Sequence, residues 1–317
     1  MTRAPTPADV REAAARLAGT TTRTPVLHAP ALDPHTAGHV LLKCENLQRT
    51  GSFKFRGACN AVARLDDDDH ARGVIAFSSG NHALAVAPAA AAAGTTALLV
   101  MPSDAPPAKH AAVRRLGAEV VTFDRYTDDR FAITASLAAE RGLTVIPPYD
   151  HPDVIAGAGT TTTEFLDQAG DLDVLVFPLG GGGQLAGATL GLADHKTRLV
   201  GVETAVGDKN RRSLDAGERV RIPVPHTIAD GVTGEVPGEL TFPLIQRRVD
   251  DVLVVDDDEI RAAMRLLFEE VKLVVEPSGA LAVAALLAGP IHAPGARVGV
   301  VLSGGNITLD RLHHLLN

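Results

Sequence analysis

A lysine with unusual neighbours is the first residue in this 317-residue chain that could do chemistry. Lys54 lies between Phe53 and Phe55 in residues 50–58, TGSFKFRGA. Apolar packing disfavours a charged ammonium, so it lowers the pKa of the amine and makes the amine a usable nucleophile. A neutral lysine amine attacks aldehydes to form a Schiff base. The same segment could instead begin a helix with the lysine head in water, and the segment alone leaves both interpretations open.

Three loops rich in glycine and polar residues provide the next candidates. Residues 78–82 (SSGNH), 178–184 (PLGGGGQ) and 303–306 (SGGN) each follow an apolar run that predicts a buried strand. Ligands of open parallel sheets bind at the carboxyl ends of the strands. We therefore expect these loops to line one site. The first of them could also be a good helix cap and nothing more.

The run Gly180, Gly181, Gly182 and Gly183 is the strongest single feature. Such a run costs conformational entropy, so a plain turn would not use it. It lets several backbone N–H groups converge on an anion at a helix start. The loop lacks both the Lys-Ser/Thr pair of a nucleotide-triphosphate loop and the glycine spacing of a dinucleotide fold. A single phosphate monoester fits best, and together with a Schiff-base lysine it indicates pyridoxal phosphate (PLP).

Alternating apolar and helical segments must position these loops. The predicted strands cover residues 25–27, 40–42, 73–77, 96–101, 119–123, 144–146, 173–177, 198–202, 251–255 and 297–302. The predicted helices cover 7–17, 52–65, 81–93, 105–116, 128–141, 151–168, 184–193, 240–247, 257–272, 277–287 and 309–316. Continuous apolar strands that alternate with helices indicate parallel sheet covered on both faces. We expect Ser52 to cap the second helix.

Composition excludes several classes of function. A net charge of −8 argues against a nucleic-acid or anionic-membrane partner, and 3% aromatics without Trp leave few stacking platforms. No apolar run reaches the ~20 residues of a membrane span, and the N-terminus lacks a signal-peptide pattern. Cys44 and Cys59 form no metal or redox spacing and are read as free thiols. We therefore expect a cytoplasmic protein that acts on a small molecule.

Five motifs together resemble the fold-type II PLP-dependent enzymes, specifically the threonine/serine dehydratase and serine racemase family, which includes 3-hydroxyaspartate dehydratases. They are residues 52–58, 78–82, 180–183, 275–279 (VEPSG) and 303–306, in the family's order along nearly the whole chain. The resemblance implies an α/β fold with two open, mostly parallel sheets covered by helices and the cofactor in the cleft between domains. It also implies a homodimer.

The resemblance implies a division into two domains and a role for each matching residue. A small domain would cover residues 49–145, and a large one residues 1–48 plus 146–317. Lys54 would hold PLP and carry protons on one face, and Ser79 matches the acid/base of the opposite face in serine racemases. The residues implied to contact PLP are Phe53, Lys54, Asn81, Gly180, Gly181, Gly182, Gly183, Ser303 and Glu276. The residues implied to bind the substrate are Ser78, Ser79, Asn81, His82 and Arg130.

Ser303 bears on the type of reaction. The resemblance places it at the pyridine nitrogen of PLP, where a neutral hydroxyl cannot stabilise a fully protonated ring as a carboxylate can. The ring is then a weaker electron sink, which favours β-elimination over transamination. We therefore predict a PLP-dependent dehydratase (ammonia-lyase) that acts on L-threonine, L-serine or a related β-hydroxy amino acid. The products would be a 2-oxo acid and ammonia.

The predicted function has three alternatives, which differ in substrate or in reaction. Arg130 matches a position that can meet a side-chain carboxylate, which would indicate 3-hydroxyaspartate, although it could simply pair with Asp128 or Asp129. Ser79 could instead support racemisation of serine or aspartate. Ala83 and Ala158 stand near or at positions where the family has glutamines, which leaves room for a bulkier β-hydroxy amino acid. A non-catalytic binding protein is disfavoured because Lys54 is present.

A third departure from the family pattern concerns metal. The resemblance implies, for some members, a Mg²⁺ or Ca²⁺ site made of a Glu, a backbone carbonyl four residues later and an Asp six residues later. Here these positions are Glu203, Gly207 and Lys209. A lysine cannot ligate a hard cation, but its ammonium could take the place of the ion and pair with Glu203. We predict no divalent requirement, with a register shift to Asp208 as the alternative.

Overall fold

The computed structural model describes residues 3–78, 80–105, 107–124 and 126–317. The strands are β1 (Val26–His28), β2 (His39–Cys44), β3 (Val74–Phe77), β4 (Ala97–Pro102), β5 (Glu119–Phe123), β6 (Thr144–Val145), β7 (Val174–Pro178), β8 (Arg198–Thr204), β9 (Asp251–Val255) and β10 (Arg297–Leu302). The helices are α1 (Pro7–Leu17), α2 (Asp33–Thr36), α3 (Lys54–Val62), α4 (Asp67–Arg72), α5 (Asn81–Ala93), α6 (Pro107–Arg115), α7 (Arg130–Arg141), α8 (Pro152–Ala169), α9 (Gly183–Gly191), α10 (Lys209–Ala216), α11 (Thr241–Arg248), α12 (Asp257–Leu266), α13 (Pro277–Leu287) and α14 (Leu309–Leu316).

Within the described residues these strands form one sheet of six and one sheet of four. The larger sheet has the order β1-β2-β10-β7-β8-β9, and the smaller has the order β5-β4-β3-β6. Neighbouring strands are parallel, except that β1 and β2 run antiparallel. The strands of the smaller sheet all come from residues 74–145. On that basis we continue to propose a small domain that covers residues 49–145.

Apolar side chains cover both faces of each sheet. In the larger sheet, Val176 packs in a core with Leu281 of α13, whereas its neighbour Leu175 packs in a second core with Phe165 of α8. The smaller sheet likewise has a core towards α3 and α5 and another towards α7. A strand that is buried on both faces must be apolar at every position, as β4 is. The predicted α/β fold class is confirmed.

Two predicted elements differ in detail. Ser52 does not cap α3, because Phe53 is the residue before the helix and the buried Ser52 hydroxyl makes no hydrogen bond to the described residues. The helix predicted for residues 257–272 ends at Leu266 and continues as a wider, π-helical turn over Leu267–Val271. This turn ends at Lys272, whose φ of 65° stops any regular helix.

A search of the described helices finds none with the length and apolarity that crossing a bilayer would require.

Candidate active site

Lys54 is the first residue of α3 and lies where the two sheets come together. Its amine donates a hydrogen bond to the Pro148 carbonyl at 2.6 Å and lies 4.9 Å from the centroid of the Phe53 ring. Burial lowers the pKa of Lys54 to about 8. Much more of the amine is therefore neutral near pH 8 than in an exposed lysine, whose pKa is about 10.4. The predicted activation of this amine thus has a physical basis in the structure.

A buried set of charges anchors the helix that carries Lys54. The guanidinium of Arg56, two residues after Lys54 in α3, donates to Glu45 and to Glu164 at 2.8 Å each. Lys43 donates to the same Glu164 oxygen at 2.6 Å. Two cations and two anions balance one another, which a buried network requires because an unpaired charge there would be very costly. The network connects α3 to β2 and to α8, and it therefore fixes the position of the start of α3.

A chain of side-chain amides links the lysine segment to α5 and to Glu276. Gly51 has a φ of +76°, and a Cβ there would lie 2.3 Å from the side-chain oxygen of Asn306. The Asn306 amide donates to the Thr50 carbonyl at 2.9 Å and to Asn81 Oδ1 at 2.8 Å. Asn81 in turn donates to a carboxylate oxygen of Glu276. The predicted cofactor residues Asn81 and Glu276 are therefore in direct contact.

The glycine loop follows β7 and leads into α9, as its position at the end of an apolar strand predicted. Gly182 has a φ of +96°, and a Cβ on Gly181 would lie 2.5 Å from the Tyr149 ring. A Cβ on Gly183 would lie 2.9 Å from the same side chain. Only glycine therefore fits without a shift of Tyr149. Among the described residues, the N–H groups of Gly181, Gly182 and Gly183 have no hydrogen-bond acceptor, which leaves them free to bind an anion at the start of α9.

Two carbonyls of this loop are held by side chains from other segments. The Gly180 carbonyl accepts a hydrogen bond from the Asn210 amide at 2.8 Å, and the Gly181 carbonyl accepts one from the Thr241 hydroxyl at 2.8 Å. Hydrogen bonds from two other segments therefore fix these carbonyls in place. The loop is thus a rigid cradle rather than a flexible linker.

The third loop joins the lysine segment directly. The Ser303 carbonyl accepts a hydrogen bond from the Phe53 amide at 3.0 Å, and Ser52 forms an isolated bridge with Gly304. The Gly304 carbonyl accepts from the Glu276 amide at 3.1 Å. The Ser303 side chain is buried beside these residues. The structure therefore brings together Phe53, Lys54, Asn81, Glu276 and Ser303.

The predicted substrate loop is described only in part, because Ser79 lies outside the described residues. The Ser78 hydroxyl accepts a hydrogen bond from the Gly80 amide at 3.1 Å. The His82 ring nitrogen Nε2 donates to the Ile146 carbonyl at 2.7 Å. Burial, together with the nearby positive charge of Lys54, lowers the pKa of His82 to about 3. Its neutral ring has no N–H left to offer a carboxylate, so the predicted contact of His82 with substrate depends on its backbone N–H at the start of α5.

Arg130 begins α7 with its side chain exposed. Its guanidinium carbon lies 5.7 Å from the centroid of the Phe77 ring and 5.0 Å from that of Phe131. The carboxylate of Asp129 caps α7, and that of Asp128 accepts a backbone N–H from Asp124. In the part of the chain that the structure describes, neither forms an ion pair with Arg130. The alternative in which Arg130 pairs with these aspartates gains no support.

Sequence reasoning missed two residues of this site. Tyr149 packs against the glycine loop and follows Pro148, the acceptor of the Lys54 hydrogen bond. Asn306 lies in a motif that the sequence singled out, but no role was given to it. A tyrosine just beyond the carboxyl end of β6, in a chain with two tyrosines in all, was the available signal. No local pattern predicted that Asn306 would reach Asn81, which is 225 residues away.

The site fits a phosphorylated aldehyde cofactor on the evidence of its own atoms. It combines an amine of lowered pKa, a glycine cradle with free N–H groups, and buried polar atoms that lack a partner in the described chain. These orphaned atoms are Ser52 Oγ, Thr50 Oγ1, His82 Nδ1 and both amide atoms of Gln184. Buried polar groups are normally hydrogen-bonded, so such a group of orphans indicates a ligand.

Comparisons with known proteins agree with this geometry. The family model described as "Pyridoxal-phosphate dependent enzyme" matches residues 17–304. An L-threo-3-hydroxyaspartate ammonia-lyase from a Pseudomonas species is 48% identical over 310 residues, which is 97% of each chain. One from Saccharomyces cerevisiae is 45% identical and covers 99% of this chain and 97% of its own. The solved structure of maize serine racemase matches with a TM-score of 0.93 at 36% identity, over 98% of this chain and 97% of that one. The chain therefore belongs to the family of pyridoxal-phosphate-dependent enzymes, as a fold-type II lyase whose cofactor is pyridoxal 5'-phosphate.

Proposed function

We propose that this enzyme is an ammonia-lyase for β-hydroxy amino acids and that its preferred substrate is L-threo-3-hydroxyaspartate. The predicted dehydration of a β-hydroxy amino acid is kept, and the choice among its substrates moves from threonine and serine to the dicarboxylic one. Two relatives at 48% and 45% identity are named for that substrate. Within this chain, the observation that supports this choice is that Arg130 lies over two aromatic rings and forms no ion pair among the described residues.

Three arginines influence the charge environment of Tyr149, which packs on the glycine loop. Burial and the adjacent Asp150 raise the pKa of Tyr149, and the positive charges of Arg130, Arg219 and Arg221 oppose this rise. Arg219 pairs with Glu239 and Arg221 with Glu235. Among the described residues, Arg130 forms no ion pair. An arginine fork held over two aromatic rings near the cleft is suited to bind a second carboxylate in a bidentate manner.

Each group of the chain has one task in this proposal. Bound PLP supplies the electron sink for charge that develops at the substrate Cα. The glycine loop would bind the phosphate through its N–H groups, and the network of Asn81, Asn306 and Glu276 would hold the ring. The Lys54 amine takes the proton from Cα, since burial keeps its pKa near the pH at which it must be neutral. His82 stays neutral and therefore adds no charge that would compete for this proton.

Elimination then breaks the bond between Cβ and the hydroxyl oxygen, and the hydroxyl leaves as water with the proton that Lys54 took from Cα. The released enamine hydrolyses to a 2-oxo acid and ammonia, so atoms and charge balance without an oxidant. For hydroxyaspartate the 2-oxo acid is oxaloacetate. Closure of the cleft would exclude water from the charged substrate.

Racemisation of serine or aspartate is the second candidate, supported by the likeness to maize serine racemase. It requires a proton donor on the face opposite Lys54, the part that Ser79 would play. Ser79→Ala should then abolish racemisation while sparing elimination of the L-substrate. We further propose a cytoplasmic homodimer. Two buried free cysteines are consistent with a reducing compartment, and the dimer follows from the family resemblance alone.

The test is a comparison of substrates at equal PLP saturation. Release of 2-oxo acid would be measured for L-threo-3-hydroxyaspartate, L-threonine, L-serine and phenylserine. We expect the highest kcat/KM for hydroxyaspartate. A preference for threonine or serine would overturn the substrate assignment and keep the reaction. Release from phenylserine alone would mean that the missing family glutamines enlarged the pocket. No release from any of them, with chiral analysis showing D-amino acid, would favour the racemase.

A further inference from the structure

A buried lysine occupies a cage of oxygen atoms behind the glycine loop. The Lys209 amine lies 3.1 Å from a Glu203 oxygen, 3.4 Å from the Gly207 carbonyl and 3.3 Å from the Val232 carbonyl. Both side chains of the Lys209–Glu203 pair are 0% exposed. A carboxylate with two backbone carbonyls is also the type of donor set that hard cations take. Here the chain itself supplies the positive charge.

The carboxylate of Glu203 connects this cage to the glycine loop. It accepts the backbone N–H groups of Asn210 at 2.9 Å and Arg211 at 3.0 Å, so it takes the place of a cap at the start of α10. It also accepts the Asn210 side-chain amide at 2.7 Å. That same amide donates to the Gly180 carbonyl at 2.8 Å. Asn210 is therefore the single residue that connects the Lys209–Glu203 pair to the glycine loop.

The second carbonyl of the cage leads to the loop from the other side. Val232 belongs to a short turn, Asp230–Val232, in which the Gly231 amide donates to the Ser278 hydroxyl at 2.8 Å. A Cβ on Gly180 would lie 3.2 Å from the Val232 Cα. The turn thus packs directly on the first glycine of the cradle. Lys209 binds the two segments that flank Gly180.

The divalent-cation site of the family does not fit this chain. The ammonium of Lys209 fills the space between the oxygen donors, and the acid one position earlier is engaged elsewhere, because Asp208 pairs with Arg212 at 2.7 Å. The register shift that could have rescued a metal site is therefore not supported. Burial raises the pKa of Glu203, and the charge of Lys209 opposes that rise.

We propose that Lys209 is a built-in cation that holds the glycine loop in its phosphate-binding shape and makes PLP binding independent of divalent metal. The proposal depends on the proposed function only in that the loop binds the phosphate of PLP. Lys209 touches neither cofactor nor substrate, so it is a positioning residue. Without its charge, Glu203 would be left as a buried acid that either protonates or moves, and both changes weaken its hold on Asn210.

The experiment compares PLP affinity, by absorbance titration of the apoenzyme, in three variants. Lys209→Met removes the charge at similar volume. Lys209→Asp replaces the ammonium with a carboxylate and leaves an oxygen cage that could take Mg²⁺ or Ca²⁺. Lys196→Asp, at an exposed lysine, is the matched control. Each is measured with chelator, with Mg²⁺ and with Ca²⁺.

We expect the wild type and the Lys196→Asp control to bind PLP equally well under all three conditions. Lys209→Met should weaken PLP binding about 10- to 100-fold, the range by which loss of an outer-shell partner weakens a metal site, with no response to cation. Lys209→Asp should be as weak in chelator and recover most of the loss with Mg²⁺ or Ca²⁺. Unchanged PLP affinity in Lys209→Met, no cation response in Lys209→Asp, or loss of wild-type affinity in chelator would each overturn the proposal. A wild type that binds no PLP would instead overturn the proposed function.

A second, independent site lies at the edge of the larger sheet, where β1 ends and β2 begins. Among the described residues, His28, Asp33 and His39 place one ligand atom each within 4.8 Å of one another. The Asp33 oxygen Oδ2 lies 2.9 Å from His28 Nε2 and 3.7 Å from His39 Nδ1. The other oxygen of Asp33 accepts the Val40 amide at 2.8 Å, which fixes the carboxylate. Two imidazoles and one carboxylate suit Zn²⁺ and its neighbours, with water completing the shell.

We infer that this His-Asp-His cluster binds a late first-row divalent ion that ties the edge strand β1 to β2. Absorbance of bound Co²⁺, competed by Zn²⁺, would report binding to the holoenzyme. His28→Ala and His39→Ala should each lower the affinity about tenfold or more. His35→Ala, an exposed histidine in the same segment, should not. Zn²⁺ should also raise the melting temperature of the wild type and of His35→Ala, but not that of His28→Ala or His39→Ala. Equal loss in all three variants, or no Co²⁺ spectrum in the wild type, would overturn this site.

Discussion

The cofactor side and the substrate side of the active site are held in very different ways. On the cofactor side, Asn81, the glycine loop and the lysine segment are tied by hydrogen bonds to segments far along the chain. On the substrate side, Arg130 is exposed and rests on two aromatic rings, and the Ser78 hydroxyl bonds to Gly80 within its own loop. In our proposal the residues that carry the chemistry are therefore held in the core, whereas the choice of substrate depends on a few loosely held groups. Changes on the first side should abolish activity, and changes on the second should redirect it.

Removal of the lysine amine should have the largest effect. Lys54→Ala should lower kcat/KM for the best substrate at least ~10³-fold, because both the nucleophile and the proton carrier are lost. Borohydride reduction followed by mass spectrometry should label Lys54 with PLP in the wild type and nothing in the variant. Lys196→Ala is the control for a lost surface charge. A variant that kept a tenth of the wild-type rate would break the assignment of Lys54.

A methyl group in the glycine loop should come next. Gly181→Ala places a Cβ 2.5 Å from the Tyr149 ring, so the loop or the ring must move. Overpacking of this kind costs about 1–3 kcal/mol, which would weaken PLP binding about 5- to 150-fold if the loop carries the strain. Gly234→Ala is the matched control, because its Cβ would find its nearest atom at 3.8 Å. Recovery of PLP affinity in Gly181→Ala combined with Tyr149→Ala would locate the clash.

The sequence predicted the cofactor side better than the substrate side, and the physical reason is the same contrast. Glycines that only a ligand cradle would need, and a lysine between two phenylalanines, carry their explanation in local sequence. The Lys209–Glu203 contact was also predictable, since it lies within one short segment. The links from Asn306 to Asn81 and from Tyr149 to Gly181 are long-range contacts that no period or spacing encodes. The motif predicted where His82 lies but not where its side chain points. That direction is set by the Ile146 carbonyl at the end of another strand.

Loss of Arg130 should redirect the enzyme rather than disable it. Arg130→Ala should lower kcat/KM for L-threo-3-hydroxyaspartate about tenfold, which corresponds to about 1.4 kcal/mol for one exposed charge-assisted pair. The value for L-threonine should change by no more than about threefold, since threonine offers no second carboxylate. Arg219→Ala, which removes an arginine already paired with Glu239, is the control. Equal losses for both substrates would show that Arg130 does not distinguish between them. The contrast between the cofactor side and the substrate side of the site would then fail.

The last effect expected is a pH dependence of cofactor loading, and it tests whether burial tunes Lys54. The attacking species is the neutral amine, so the rate at which the apoenzyme takes up PLP should rise with pH and level off once the amine has lost its proton. With a pKa of about 8, the neutral fraction is roughly a tenth at pH 7 and a half at pH 8. Dividing by the rate for N-acetyl-lysine amide removes the pH dependence of the aldehyde itself. This ratio should be highest at pH 7, fall to about half by pH 8 and to about a tenth by pH 9, because Lys54 is then mostly neutral whereas the exposed model amine continues to lose protons up to about pH 10.4. His82, with a pKa of about 3, stays neutral throughout this range and cannot produce the change. A ratio that stays constant from pH 7 to 10 would mean that Lys54 titrates like a surface lysine, and the buried cofactor side would then owe its reactivity to geometry alone.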